Sequence, residues 1–171
     1  MIRAFRFLVV PLALAILVSC GSSKPSYRMT VYDGPPVTQV VVNKGDRRMH
    51  LLHGTTVLKS YDVALGNEPI GAKRIEGDGK TPEGIYFIDR FNPRSRYHLS
   101  VGISYPSQTD KLRAELVGMR PGGDIFIHGR GPEGRAANLT DWTAGCTAVD
   151  DDEIEEIYAM LRPGVPIVIN P

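Results

Sequence analysis

The chain contains two cysteines and four histidines, and one of each stands where it could do chemistry. Cys146 follows Gly145 on a turn ahead of an acidic segment, in DWTAGCTAVDDDEIEEIY (Asp141 to Tyr158). His128 ends an apolar run, DIFIH, and is followed by Gly129. A thiol nucleophile needs a base in reach, a group that orients the base, and N–H donors for the developing oxyanion. His128 can be the base, and Gly145 lets a substrate approach backbone N–H groups closely. The pair is separated by 146 − 128 = 18 residues, enough for a loop to leave a strand and return. Contact between them would lower the thiol pKa from about 8.5 toward neutrality. A lone cysteine is also a small buried hydrophobe, and a lone histidine a structural hydrogen bonder, so spacing alone leaves both readings open.

Other motifs compete poorly. GDGKT (Gly77 to Thr81) resembles a phosphate loop, but the first glycine of G-x-x-x-x-G-K-[ST] would fall on Arg74. His50 and His53 flank a hairpin turn and His98 precedes an apolar strand, where surface or core roles suffice. Cys146 and His128 form no C-x-x-C or H-E-x-x-H cluster, so neither a metal nor a cofactor is expected.

The elements that must position the pair are mostly strands. Val37 to Asn43, Arg48 to Leu52, Thr56 to Leu65, Gly84 to Arg90, Leu99 to Tyr105, Asp124 to His128 and Val165 to Ile169 are β-branched or apolar runs bounded by Gly, Pro or Asn. The domain should open with a meander. Two helices are predicted, at Asp110 to Met119 and from Asp150 onward. In the second, Asp150 caps and Glu153 completes a capping box. Ile154, Ile157, Tyr158 and Leu161 fall on one face, and Arg162-Pro163-Gly164 ends it. The expected class is α+β, predominantly β, a mixed β-sheet or sandwich core with peripheral helices.

The N-terminus reads as an export signal. MIRAFRFLVVPLALAILVSC has a basic start, an apolar run too short to be read as a spanning helix, and Leu17-Val18-Ser19-Cys20, which resembles a bacterial lipobox. Cleavage would remove residues 1–19 and leave a lipidated Cys20 on a Gly/Ser/Pro-rich tether (20–36) ahead of a domain at 37–170. The expectation is therefore an exported protein held to a membrane by lipid, facing periplasm or wall. Gly21 rather than Asp favours the outer membrane in a Gram-negative cell. Losing Arg3 and Arg6 leaves 20 − 2 = 18 basic against 19 acidic residues, which argues against a nucleic-acid partner.

GDGKTPEGIYFI (Gly77 to Ile88), FNPRSRYHLSVGISYP (Phe91 to Pro106), GGDIFIHG (Gly122 to Gly129) and TAGC (Thr143 to Cys146) occur in the order and rough spacing of one family. In these segments the chain resembles the YkuD-type L,D-transpeptidase catalytic domain. The resemblance implies acyl transfer on peptidoglycan stem peptides through a thioester on Cys146, with His128 as base and the Gly129 carbonyl holding its imidazole. It also implies an oxyanion hole from the Gly145 and Cys146 N–H groups, and a substrate-side role for Thr143. Ala144 and Ala148 stand where the pattern [ST]-H-G-C-x-R has His and Arg. TAGCTAV is closer to a divergent branch that includes an enteric amidase releasing peptidoglycan-bound lipoprotein. The motif Arg is missing, and Arg130 or Arg135 on the intervening loop could supply a guanidinium for a substrate carboxylate; the alternative is that both are solvated loop charges. L,D-transpeptidation is the leading expectation. The alternatives are an L,D-amidase or carboxypeptidase cutting crosslinks or wall-linked lipoprotein, and a silent wall-binding lipoprotein.

Overall fold

The computed structural model describes residues 31–137 and 140–171. The signal segment, Cys20 and most of the tether lie outside the described residues. In chain order the elements are β1 (Gln39–Asn43), β2 (Arg48–His53), β3 (Thr56–Asp62), β4 (Gly84–Ser95), β5 (His98–Ile103), α1 (Gln108–Glu115), β6 (Phe126–His128), α2 (Gly131–Ala136), β7 (Thr147–Ala148), α3 (Asp151–Met160) and β8 (Pro166–Asn170). The strands form a mixed sheet in the order β3-β2-β1-β8-β4-β5-β6-β7. The predicted opening meander is β1 to β3, paired antiparallel. The last strand, β8, inserts at the centre, parallel to β1 and antiparallel to β4.

Alternation decides which face is covered. Val40 and Val42, Met49 and Leu51, Tyr86 and Ile88, and Ile167 and Ile169 point inward at every second position. The α3 helix packs Ile154, Ile157 and Leu161, all fully buried, on the β5–β6 end of the sheet. Each such side chain contributes about 1.5–3 kcal/mol when removed from water. The capping box read from the sequence is present, with the Asp150 N–H donating to Glu153 Oε2 at 2.9 Å.

Three elements depart from expectation. β4 continues past Asn92-Pro93 because the ladder with β5 shifts register between Asn92 and Ser95, so Pro93 breaks no regular pairing. Val63 to Leu65, read as the end of β3, leave that strand and cross toward β7, where Ala64 bridges Ala148. The loop after His128 contains α2, begun by Gly131-Pro132.

Candidate active site

β6 lies between β5 and β7, pairing antiparallel with the first (Ser100↔His128) and parallel with the second (His128↔Ala148). Cys146 immediately precedes β7. Cys146 lies two residues before Ala148, the β7 partner of His128, so the period of two puts the thiol and the imidazole on one face. Both line a cavity of ≈ 300 Å³ with Tyr97, Arg94 and Phe126. Cys146 also borders a second cavity, ≈ 240 Å³, with Ala144, Lys73 and Gly122, so its sulfur stands on the ridge between two openings. A larger cavity of ≈ 600 Å³, lined by Arg47, Arg130, Asp150 and Glu153, contains neither the thiol nor the imidazole.

The turn that carries Cys146 is fixed from inside. Thr143 Oγ1 donates to Cys146 O (2.7 Å) and accepts from the Gly145 N–H (3.1 Å). The segment leaving β3 laces both ends of the turn: Thr143 N donates to Leu65 O, Asn67 N to Thr143 O, and Ala148 N to Ala64 O. Upstream, Arg47 grips Asp141 through Nε and Nη2, while Asp141 Oδ1 also accepts the Leu65 N–H at 2.9 Å. GDGKT backs the turn from below. Burial pushes the Asp78 carboxyl up, but the N–H groups of Arg74, Ile75 and Lys80 together with the Lys73 ammonium outweigh it and hold the group below its usual range. Thr81 Oγ1 accepts the Gly66 N–H at 3.0 Å, and buried Lys44 donates to Thr81 O and pairs with Glu83.

His128 is 2% exposed, and its Nδ1 lies 2.6 Å from Gly129 O. A carbonyl can only accept, so Nδ1 carries the proton and Nε2 keeps its lone pair. Among the described residues no carboxylate contacts the ring; aromatic faces pack against it. Tyr97 stacks on it at 4.5 Å between centroids, and Trp142 meets it edge-on at 5.6 Å. The Tyr97 phenol is raised by burial and by Glu133, which is itself paired with Arg96.

Burial lowers the His128 pKa against the opposing pull of the Gly129 carbonyl. Burial also raises the Cys146 thiol, although the Phe126 N–H and the Lys73 and Arg90 charges favour thiolate. Against the expected drop of the thiol toward neutrality, burial favours the neutral form of each partner, and Cys146 Sγ donates to Asp124 O at 3.6 Å. Alkylation of Cys146 by iodoacetamide, followed by mass spectrometry, is thus expected to keep accelerating as pH rises through about 8.5. A plateau reached below about pH 7 would mean a preformed thiolate–imidazolium pair.

Arg130 and Arg135 do not enter the Cys146 cavities. α2 folds the loop so that Arg130 Nε meets Asp150 Oδ1 at 2.9 Å and Arg135 Nη1 meets Asp151 Oδ2 at 2.5 Å, both on the acidic start of α3. Thr143 is buried, and its hydroxyl is engaged within the turn. The Gly145 N–H, expected to face an oxyanion, is engaged by Thr143 Oγ1 in the resting chain, and an oxyanion would have to share it. Residue-by-residue reading missed Arg94, Arg96, Tyr97 and Trp142. The i, i+2 spacing of Asn92 and Arg94 in an extended run was the available signal for Arg94.

The profile of YkuD, the L,D-transpeptidase catalytic domain, matches residues 38–169. YafK of Escherichia coli K12, provisionally named an L,D-transpeptidase, is 25% identical over 91% of the chain and 63% of YafK. The chain thus spans less than two thirds of the curated relatives it matches. Among solved structures, the helical cell shape determining protein Pgp2 of Campylobacter jejuni is similar at a TM-score of 0.62 and 27% identity, over 79% of this chain and 48% of Pgp2. An L,D-transpeptidase from Mycobacterium smegmatis shares the fold at a TM-score of 0.52 and 13% identity, over 78% of this chain and 58% of that one.

Proposed function

The chain belongs to the YkuD family of L,D-transpeptidase catalytic domains, and from that premise we propose that it transfers peptidoglycan stem-peptide acyl groups through a thioester on Cys146. The observation that carries this reading is that the thiol and a histidine of fixed tautomer line one cavity. With Nδ1 committed to Gly129 O, Nε2 takes the thiol proton as sulfur attacks the carbonyl on the L side of an L,D bond. The proton then passes to the departing amine of the D-residue, leaving a thioester and a neutral imidazole. In the second half, Nε2 accepts a proton from the attacking amine or water and returns it to the sulfur as the C–S bond breaks. The Gly129 carbonyl and the Tyr97 ring face both favour the transient imidazolium. The Cys146 N–H is the donor proposed for the oxyanion, shared with Gly145 N–H if Thr143 yields it.

Hydrolysis is the second reading, favoured by Ala144, which is exposed and borders the 240 Å³ cavity where a larger side chain would narrow the approach to sulfur. Transfer remains first. The likeness to Pgp2 extends the proposal to wall remodelling that influences cell shape. Purified protein incubated with uncrosslinked tetrapeptide muropeptides, and separately with 3,3-crosslinked or protein-linked ones, decides by mass. Crosslinked dimers or D-amino-acid exchange products are the expected result, and release of tripeptide alone makes the protein a hydrolase. If neither appears while Cys146 still alkylates, the stem-peptide assignment is wrong and a wall-binding role takes its place.

A further inference from the structure

The ≈ 300 Å³ cavity on Cys146 has an uneven distribution of charge. Two guanidinium groups, Arg94 and Arg96, line it against a single carboxylate, Asp124. Asp124 is already paired with Arg90 at 3.2 Å. Arg96 is held by Glu133, the carboxylate that also engages the Tyr97 phenol. Arg94 has neither an ion pair nor a side-chain hydrogen bond among the described residues, although it shares a cavity with the thiol. Its backbone is nevertheless fixed: Pro93 precedes it, its N–H donates to Asn92 Oδ1 at 2.9 Å, and it stands where the β4–β5 register shifts. Such a shift re-aims a side chain out of the regular pleat.

We propose that Arg94 is the specificity-determining residue of this cavity and binds a free carboxylate on the peptide that acylates Cys146. A guanidinium presents two parallel N–H donors that match a carboxylate, and the absence of a competing acid leaves that fork available. Arg130 and Arg135 are each neutralised on α3, so neither competes for the role. Arg96, in the turn that follows β4, holds Glu133 and through it steadies the Tyr97 ring on His128, a different task for a neighbouring arginine.

The inference rests on the stem-peptide reading, and its test is a binding measurement that needs no turnover. In Cys146→Ala protein, Kd is measured by calorimetry for a synthetic stem tetrapeptide with all carboxylates free and for versions with each carboxylate amidated in turn. Adding Arg94→Ala is expected to weaken the free peptide about 10- to 100-fold, the range of a charge-assisted hydrogen bond. For one amidated version the loss should shrink to less than about 2-fold, which identifies the carboxylate. Arg94→Lys should recover part of the affinity, and in the Cys146-containing protein Arg94→Ala should leave iodoacetamide labelling unchanged. Equal weakening of every peptide, or none, overturns the role of Arg94 while leaving acyl transfer intact. No binding of any peptide to a folded protein overturns the stem-peptide reading and this assignment with it.

Discussion

His128→Ala is expected to slow acylation of Cys146 by a stem peptide about 10²- to 10⁴-fold, the usual loss for a missing general base, and Cys146→Ala to abolish the acyl-enzyme altogether. The size of the His128 effect follows from the resting state. Burial raises the thiol and lowers the imidazole, which disfavours a waiting thiolate and leaves the proposed attack in need of a base for its proton. Were the pair already ionised, deleting the imidazole would remove stored activation and the thiol would lose its pH-independent reactivity as well. Burial of neutral His128 also fixes the sign of the pH response. Its folded pKa lies below the unfolded value of about 6.5, so both base function and the associated stability are present above that value and fade as pH falls through the folded one. Single-turnover acylation followed by intact-protein mass spectrometry should show an acid limb centred below about 6.5. A midpoint above neutrality, or full acylation in His128→Ala, would remove His128 from the mechanism.

Much of this arrangement was legible in the residues. Strands with period-two alternation, the opening meander and the Asp150–Glu153 cap are local signals, and each was recovered. Cys146 and His128 were picked out by the ordered motifs around them, and the fold brings both to one cavity. The misses share a different cause, since they depend on groups distant in sequence. β7 is two residues long and exists only because β6 and Ala64 pair with it. Arg130 and Arg135 looked available on a loop until α2 turned them onto Asp150 and Asp151. The thiol pKa was misjudged because proximity to a histidine was weighed and desolvation was not. Burial acts on both partners, and it keeps the histidine neutral. Tyr97 orients His128 across a hairpin contact that no local pattern reveals.

The nucleophile turn rests on glycines whose role is steric, and that sets the second large effect. A Cβ on Gly66 would lie 2.1 Å from Gly79 O and 3.1 Å from Gly145 Cα. Those are backbone atoms, so no side chain can rotate away; either GDGKT or the turn carrying Cys146 must move. A Cβ on Gly145 would meet Lys80 O at 2.6 Å, and this residue also holds φ at +135°. Gly77 provides the comparison: it has φ of +81° with nothing within 4 Å, so Gly77→Ala isolates the conformational cost, about 1–2 kcal/mol. Gly66→Ala is expected to cost about 3 kcal/mol, at the upper end for forced overpacking, although Gly66 needs no left-handed backbone. Urea unfolding of the three variants should therefore rank Gly66→Ala and Gly145→Ala well below Gly77→Ala. Because the displaced atoms border Cys146, the first two should also lose acylation in the fraction that remains folded, whereas Gly77→Ala keeps it. Equal stability in Gly66→Ala and Gly77→Ala would mean that GDGKT does not press on the turn. The position of the thiol would then depend on the lacing to Leu65 and Asn67 and on the Arg47–Asp141 pair alone.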